Sequence, residues 1–187
     1  MEGPPMQIQA STRKRLAHRA LGATLVLVSS VRVGAVAGSE ASHLRLFNTH
    51  TAQRIDIVQR IGEGPLAGAL EQLKGFLRDH RNANERAFDP ALFDILRQLA
   101  HSVGRDDAEF QVISGYRSPA SNEGLRATRN GVAKNSLHMQ ARAIDIRLPG
   151  TSTSRLRDAA IGMRRGGVGY YRGLDFIHVD TGPVRRW

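Results

Sequence analysis

The stretch "SLHMQARAIDIRLPG", residues 136–150, decides how this chain is read. From Ala143 it alternates as a half-buried strand does. Ile144 and Ile146 take one face, and Ala143, Asp145 and Arg147 take the other. An aspartate set between two isoleucines is costly to bury unless something positive meets it. His138 stands where the run begins. A second segment, "FIHVD" at 176–180, follows the same rule, with Phe176, His178 and Asp180 on one face and Ile177 and Val179 on the other. If the two strands are neighbours in one sheet, Asp145 and His178 aim at one point, and His138 completes the set from the entering loop. Two neutral imidazoles and one carboxylate suit a zinc ion that keeps a fourth position for water. Taken singly, each has an ordinary reading: Asp145 paired with an arginine, each histidine in the core or on the surface. Spacing alone leaves both readings open.

Working outward, "HLRLFNTHTAQRIDIVQRI" (43–61) alternates on both sides of a turn and reads as a β-hairpin. Leu66, Leu70, Leu73 and Leu77 recur at helical spacing after the loop "IGEGP". Asp89-Pro90 is an N-cap followed by a first-turn proline, opening a helix that runs to Gly104. "FQVISGY" (110–116) is a short strand entering a turn, and a helix is expected over 119–128. "TSTSRLRDAAIGMRRGG" (151–167) is a further helix, capped by Ser or Thr and closed by Gly166-Gly167. Two short strands, "VGYY" and "LDFIHVDTG", finish the chain. Helices largely precede the decisive strands, so the expected class is α+β, a small antiparallel sheet flanked by helices.

The chain has 187 residues, enough for one domain with a real core, and 41% of them are hydrophobic. There is no cysteine, which excludes disulfides, iron–sulfur clusters and thiolate metal sites. Any metal must be held by His, Asp or Glu. The net charge is +10. Five basic residues (Arg13, Lys14, Arg15, Arg19, Arg32) and one acid, Glu2, lie in residues 1–37, leaving 22 basic and 16 acidic side chains, a surplus of +6, beyond them. That surplus favours a polyanionic partner without choosing among nucleic acid, anionic lipid and anionic cell-wall polymer.

Residues 1–37 read as an export signal: a basic start, an apolar run from about Ala20 to Val28, and Ala35-Val36-Ala37 as an A-x-A cleavage site before Gly38. "STRKRLA" loosely resembles a twin-arginine signal, although Lys14 separates the arginines. The expected mature domain is 38–187, in the periplasm or cell envelope. Without a lipobox cysteine, no lipid anchor is expected.

"SLHMQARAIDI" is similar to the S-x-H-x-x-G-x-A-x-D motif of zinc peptidases acting on cell-wall peptides, the D-Ala-D-Ala metallopeptidase, lysostaphin and hedgehog-like group. More narrowly, "LFNTHT", "FLRDHR", "ISGYRSPASNEGLR", "GVGYY" and "FIHVDTGPVRRW" occur in the same order as in the YcbK-type murein endopeptidases, a branch close to the M15 peptidases. The resemblance covers essentially all of the chain after the signal. It implies one Zn2+ held by His138, Asp145 and His178, a small α+β fold, and cleavage of peptidoglycan peptide cross-links. One position departs from the pattern: the family's glycine is Ala141, a substitution that costs little unless φ is positive there.

Such hydrolysis needs a group to take the water proton and pass it to the leaving amine. Asp180 is one candidate, on the face of His178. Asp175 is the other, at the Glu position of the related E-x-x-H motif. Either could instead orient a metal-bound imidazole. Arg117, in "SGYRSP", is the expected stabiliser of an oxyanion or grip on a substrate carboxylate. Ser114, Tyr116 and Ser136 are expected to line the same cleft. The expected partner is peptidoglycan peptide, met by a monomer. The alternatives are a noncatalytic peptidoglycan-binding module and a basic nucleic-acid-binding protein. No recognisable reading motif supports the second. Trp187, in "GPVRRW", is expected to pack on the domain.

Overall fold

The structure, a computed structural model, describes residues 41–60 and 67–187, with Met1 and Gly3. The expected h-region and cleavage site lie outside them. Among the described residues no helix is long and apolar enough to cross a membrane.

The order of elements is β1 (Ala41–Asn48), β2 (Arg54–Arg60), α1 (Ala67–Phe76), α2 (Pro90–Ser102), β3 (Glu109–Ser114), α3 (Pro119–Thr128), β4 (Ala143–Arg147), α4 (Thr153–Met163), β5 (Gly167–Tyr171), β6 (Phe176–Asp180) and β7 (Arg185–Arg186). The strands form one sheet in the order β2-β1-β3-β4-β6-β5-β7. The expected hairpin forms, with Leu46 opposite Ile55 and Leu44 opposite Ile57. The fold is α+β and the sheet is mostly antiparallel, but β1–β3 and β5–β7 run parallel.

Period-two alternation sorts the sheet into two faces. Leu44, Leu46, Phe110, Val112, Ile144, Ile146, Ile177 and Val179 join one buried cluster with Leu92, Leu96 and Leu156 from the helices. Each fully buried side chain of this size stabilises the fold by about 1.5–3 kcal/mol. Asp89 caps α2 as expected, its Oδ1 accepting from Ala91 N at 3.0 Å. Helix α3 begins at Pro119, with Ser118 as its cap. Helix α4 starts after Ser152 but ends at Arg164, whose φ is 51°. Gly166-Gly167 therefore does not close it: Gly167 is already the first residue of β5, pressed against the end of β6.

The opposite face changes character across the sheet. At the β1–β2 end it carries exposed ion pairs, Arg45 with Asp56 and Arg54 with Glu109. At the β4–β6 end it holds Asp145, His178 and Asp180, all buried. These two strands are thus covered on both sides rather than half-buried. The loops after β3, the turn before β4 and the strap after β6 supply the second cover.

Candidate metal centre

Strands β4 and β6 pair in a register that puts Asp145 directly opposite His178. The third member arrives from a 3-10 turn, Leu137–Gln140. Ser136 caps that turn, its Oγ accepting from His138 N at 3.3 Å. The serine two residues before the histidine therefore fixes the backbone that carries it. The turn is closed by Ala141, fully buried at φ 54° and ψ 39°. Alanine stands in the left-handed region that favours glycine, at a cost of about 1 kcal/mol.

Outer partners set which nitrogen of each ring faces inward. His138 Nδ1 donates to Gly115 O at 2.8 Å, leaving Nε2 as a bare lone pair. Gly115 can come this close because it has no side chain: a Cβ there would meet Leu77 O at 2.6 Å. His178 Nε2 donates to Asp180 Oδ2 at 2.9 Å, leaving Nδ1 bare. The inner atoms then form a triangle. His138 Nε2 lies 3.2 Å from Asp145 Oδ1 and 3.1 Å from His178 Nδ1, and the last pair is 2.9 Å apart.

Three lone pairs at this spacing repel one another unless a cation joins them. Ligand atoms bound tetrahedrally at zinc distances are separated by about 3.3 Å, so the triangle needs only a slight expansion to accept the ion. Burial alone would lower the pKa of His178, but the hydrogen bonds and charges of Asp145 and Asp180 outweigh it and raise the value to about 9. Burial likewise opposes ionisation of Asp145, and the two imidazoles overcome it, holding the carboxyl well below the usual range. The residues present fit a divalent metal, and His138, Asp145 and His178 are the group of such ligands that converges among the described residues.

The other expected site residues fall into two groups. Arg117 comes to the triangle: Nη2 is 3.7 Å from Asp145 Oδ2 and 3.4 Å from Ser114 Oγ, and Nη1 is 3.3 Å from Asn122 Oδ1. Its Nε is buried without a partner. Burial lowers the guanidinium pKa against the opposing charge of Asp145. Ser114 pairs in register with Asp145, and its hydroxyl is engaged by Arg117. Ser136 is likewise engaged as a cap. Tyr116 differs from expectation: it is buried in the hydrophobic cluster, with its N–H bonded to Leu77 O, and is not an open cleft surface.

The two aspartates separate by their partners. Asp180 accepts from Gly167 N, Gly182 N, Arg185 and His178. Burial opposes its ionisation, but these donors hold the carboxyl well below its ordinary range. Asp175, at φ 52°, accepts from Thr153 Oγ1 and lies 3.9 Å from Arg147 Nη1. The structure bonds it to the start of α4 rather than to His178.

Sequence reasoning missed Asp79, Asn122 and Arg185. Asp79 is fully buried, with Oδ2 accepting from Ser118 N at 2.9 Å and Oδ1 from Arg81 N at 3.1 Å, so it braces the loop that carries Arg117. Asn122 holds Arg117 from α3. Arg185 holds Asp180 from β7. Only the motifs "RDHR", "SPASN" and "GPVRRW" hinted at them, without a partner to name.

A family model described as peptidoglycan L,D-endopeptidase MepK matches residues 36–187. The chain is 37% identical over 181 residues to the peptidoglycan L,D-endopeptidase MepK of Escherichia coli (strain K12), spanning 97% of this chain and 99% of that protein. The protein of that name from Shigella flexneri matches equally. The probable peptidoglycan L,D-endopeptidase MepK of Haemophilus influenzae is 39% identical over 140 residues, 75% of each chain.

Proposed function

Because the chain belongs to the MepK family of M15-type peptidases, we propose that it is an exported endopeptidase cutting peptide cross-links of peptidoglycan in the periplasm, with a divalent metal, zinc, as its cofactor. The relatives' names support an L,D bond as the one cut. The convergence of two imidazole nitrogens and a carboxylate oxygen within 3.2 Å of one another carries the metal reading.

His138 Nε2, Asp145 Oδ1 and His178 Nδ1 are the atoms that would hold the ion. When bound there, zinc polarises a carbonyl and brings the pKa of a bound water toward about 7. The chain's own groups do the rest. Arg117 offers its buried guanidinium to the oxygen that gains charge at the scissile carbonyl, or to a neighbouring substrate carboxylate. Gly115 O and Asp180 hold the two imidazoles in the tautomers that keep their lone pairs inward. Asp180, saturated by donors, is a positioning residue in this scheme. Asp175 has the more open carboxylate of the two, and to accept a proton it would have to leave Thr153.

Purified protein incubated with isolated sacculi should release new muropeptides, carry about one zinc per chain, and lose both properties as His138→Ala. A wild type that digests sacculi equally well after its metal is stripped would overturn the proposal.

A further inference from the structure

Beyond β6 the chain turns back through β7 and ends at Trp187, the one tryptophan of the sequence. Its position is built from several elements. Gly169 pairs in register with His178, and a Cβ on Gly169 would come within 2.7 Å of the indole. The ring thus occupies the space that any other residue at 169 would fill, beside the imidazole. The two ring centroids are 5.2 Å apart at 50°. Trp187 N donates to Val168 O at 3.2 Å, Trp187 O accepts from Tyr170 N at 3.0 Å, and Nε1 donates to Tyr171 Oη at 3.1 Å. These bonds leave the indole little freedom.

A residue held this firmly against a core strand is ordinarily buried, yet Trp187 is 52% exposed. Covering β5 does not account for that open area. Arg185 bonds Asp180 and lies over the indole, its guanidinium carbon 5.0 Å from the ring centroid, and the indole N–H is taken. The open apolar surface here is the uncovered part of the ring and Val184, also exposed. Beside Asp145 stands Arg117, with Nη2 3.7 Å from the carboxylate. The site therefore presents a cation and an apolar wall from different directions.

We propose that the open indole of Trp187 is a substrate-contacting wall, taking the aliphatic part of a peptide stem next to the scissile bond while Arg117 takes an oxygen of the same substrate. The inference rests on the endopeptidase reading and names how that site selects its peptide. A rigid aromatic offers contact area at small entropic cost, which suits a chain of methylenes with polar ends bound elsewhere.

The lone tryptophan is its own reporter. Zinc-loaded wild type is titrated with the diaminopimelate-containing tetrapeptide that cleavage releases, and the emission should change saturably. With a soluble cross-linked muropeptide as substrate, Trp187→Ala should raise KM about tenfold with kcat and zinc content little changed, and Trp187→Phe should recover most of the loss. Unmoved emission and unmoved KM in an enzyme that does cut its substrate would overturn the wall and leave the endopeptidase reading intact. Loss of zinc from Trp187→Ala, with kcat falling and KM constant, would also overturn it, marking the indole as a cover for His178. Absent cleavage by the wild type, with emission still responding to tetrapeptide, would instead sink the endopeptidase reading and keep the wall as a binding surface.

Discussion

Two pairs of histidines flank the end of β3, and they have opposite characters. His138 and His178 meet edge to face, centroids 5.0 Å apart at 64°, around two carboxylates. His50 and His80 lie flat on one another, 3.7 Å apart at 11°. Each pair is anchored to a carbonyl at the end of that strand, Gly115 O for His138 and Ile113 O for His50. The difference is in the charges nearby. Asp145 and Asp180 raise His178 to about 9 against the cost of burial, whereas burial and the nearby Arg81 charge lower His80 to about 4. The same side chain is a cation trap in one setting and a neutral slab in the other.

The sharpest way to break this comparison is to truncate one ring from each pair. His138→Ala should reduce kcat on sacculi by at least ~10³-fold, the order expected when charge stabilisation at the reacting carbonyl is removed. It should also abolish stoichiometric zinc. His80→Ala should keep its zinc and lose activity less than tenfold. Metal analysis beside muropeptide release checks both, and equal losses in the two variants would erase the distinction.

Next in size is the carboxylate behind the ring. Asp180→Asn keeps the shape but exchanges an anion for an amide, moving His178 toward the surroundings of His80. A carboxylate that accepts from the outer nitrogen of a metal-binding imidazole typically contributes 10- to 100-fold to metal affinity or activity. Zinc affinity measured by chelator competition should fall within about that range, with Asp145→Asn falling further because it turns an anionic ligand into a neutral amide. A variant with unaltered affinity would show that Asp180 serves only Arg185 and the β6–β7 turn.

How much of this was legible beforehand follows from which forces are local. Alternation in β4 and β6 was readable because a strand forces every second side chain to one face, so Asp145 and His178 had to share a face once the strands paired. The cap at Asp89 and the start of α3 were readable because Asp-Pro and Ser-Pro act within one turn. The parallel β1–β3 pairing was not, since it joins residues about sixty positions apart with no local mark. Gly167 looked like a helix stop because glycine often ends helices, but α4 ends at Arg164 and the glycine is needed where β5 presses on Asp180. Tyr116 followed an apparent cleft motif into the core. The saturation of Asp180 depends on Arg185, Gly167 and Gly182 arriving from three places, and no spacing rule gathers those.

The stacked pair makes its own prediction about pH. Between 6.5 and about 4 the unfolded chain holds a proton on His80 that the folded chain refuses. Stability therefore rises with pH across that window, and is lost as pH falls through it. His80 is partly open to solvent, so screening reduces the contribution to about 1–2 kcal/mol. Thermal midpoints measured from pH 7 to pH 4 should fall less steeply in His80→Gln than in the wild type. Parallel curves would show that the ring titrates normally despite its neighbours.

The smallest effect concerns the backbone that delivers His138 to its pair. Ala141 closes the turn at φ 54°, where a Cβ crowds the following carbonyl, and the buried methyl has no solvent into which to relax. Gly has no such penalty, although it adds freedom to the unfolded chain, and the two terms partly cancel. Ala141→Gly should therefore stabilise the protein by about 1 kcal/mol or less, lifting Tm by roughly 2–4 °C at most. Zinc content and KM should not move, because Ser136 and Gly115 still fix the ring from its other side. A fall in Tm would mean that the methyl contributes more packing than the left-handed turn costs, and that the turn carrying His138 is held by its core contacts rather than strained against them.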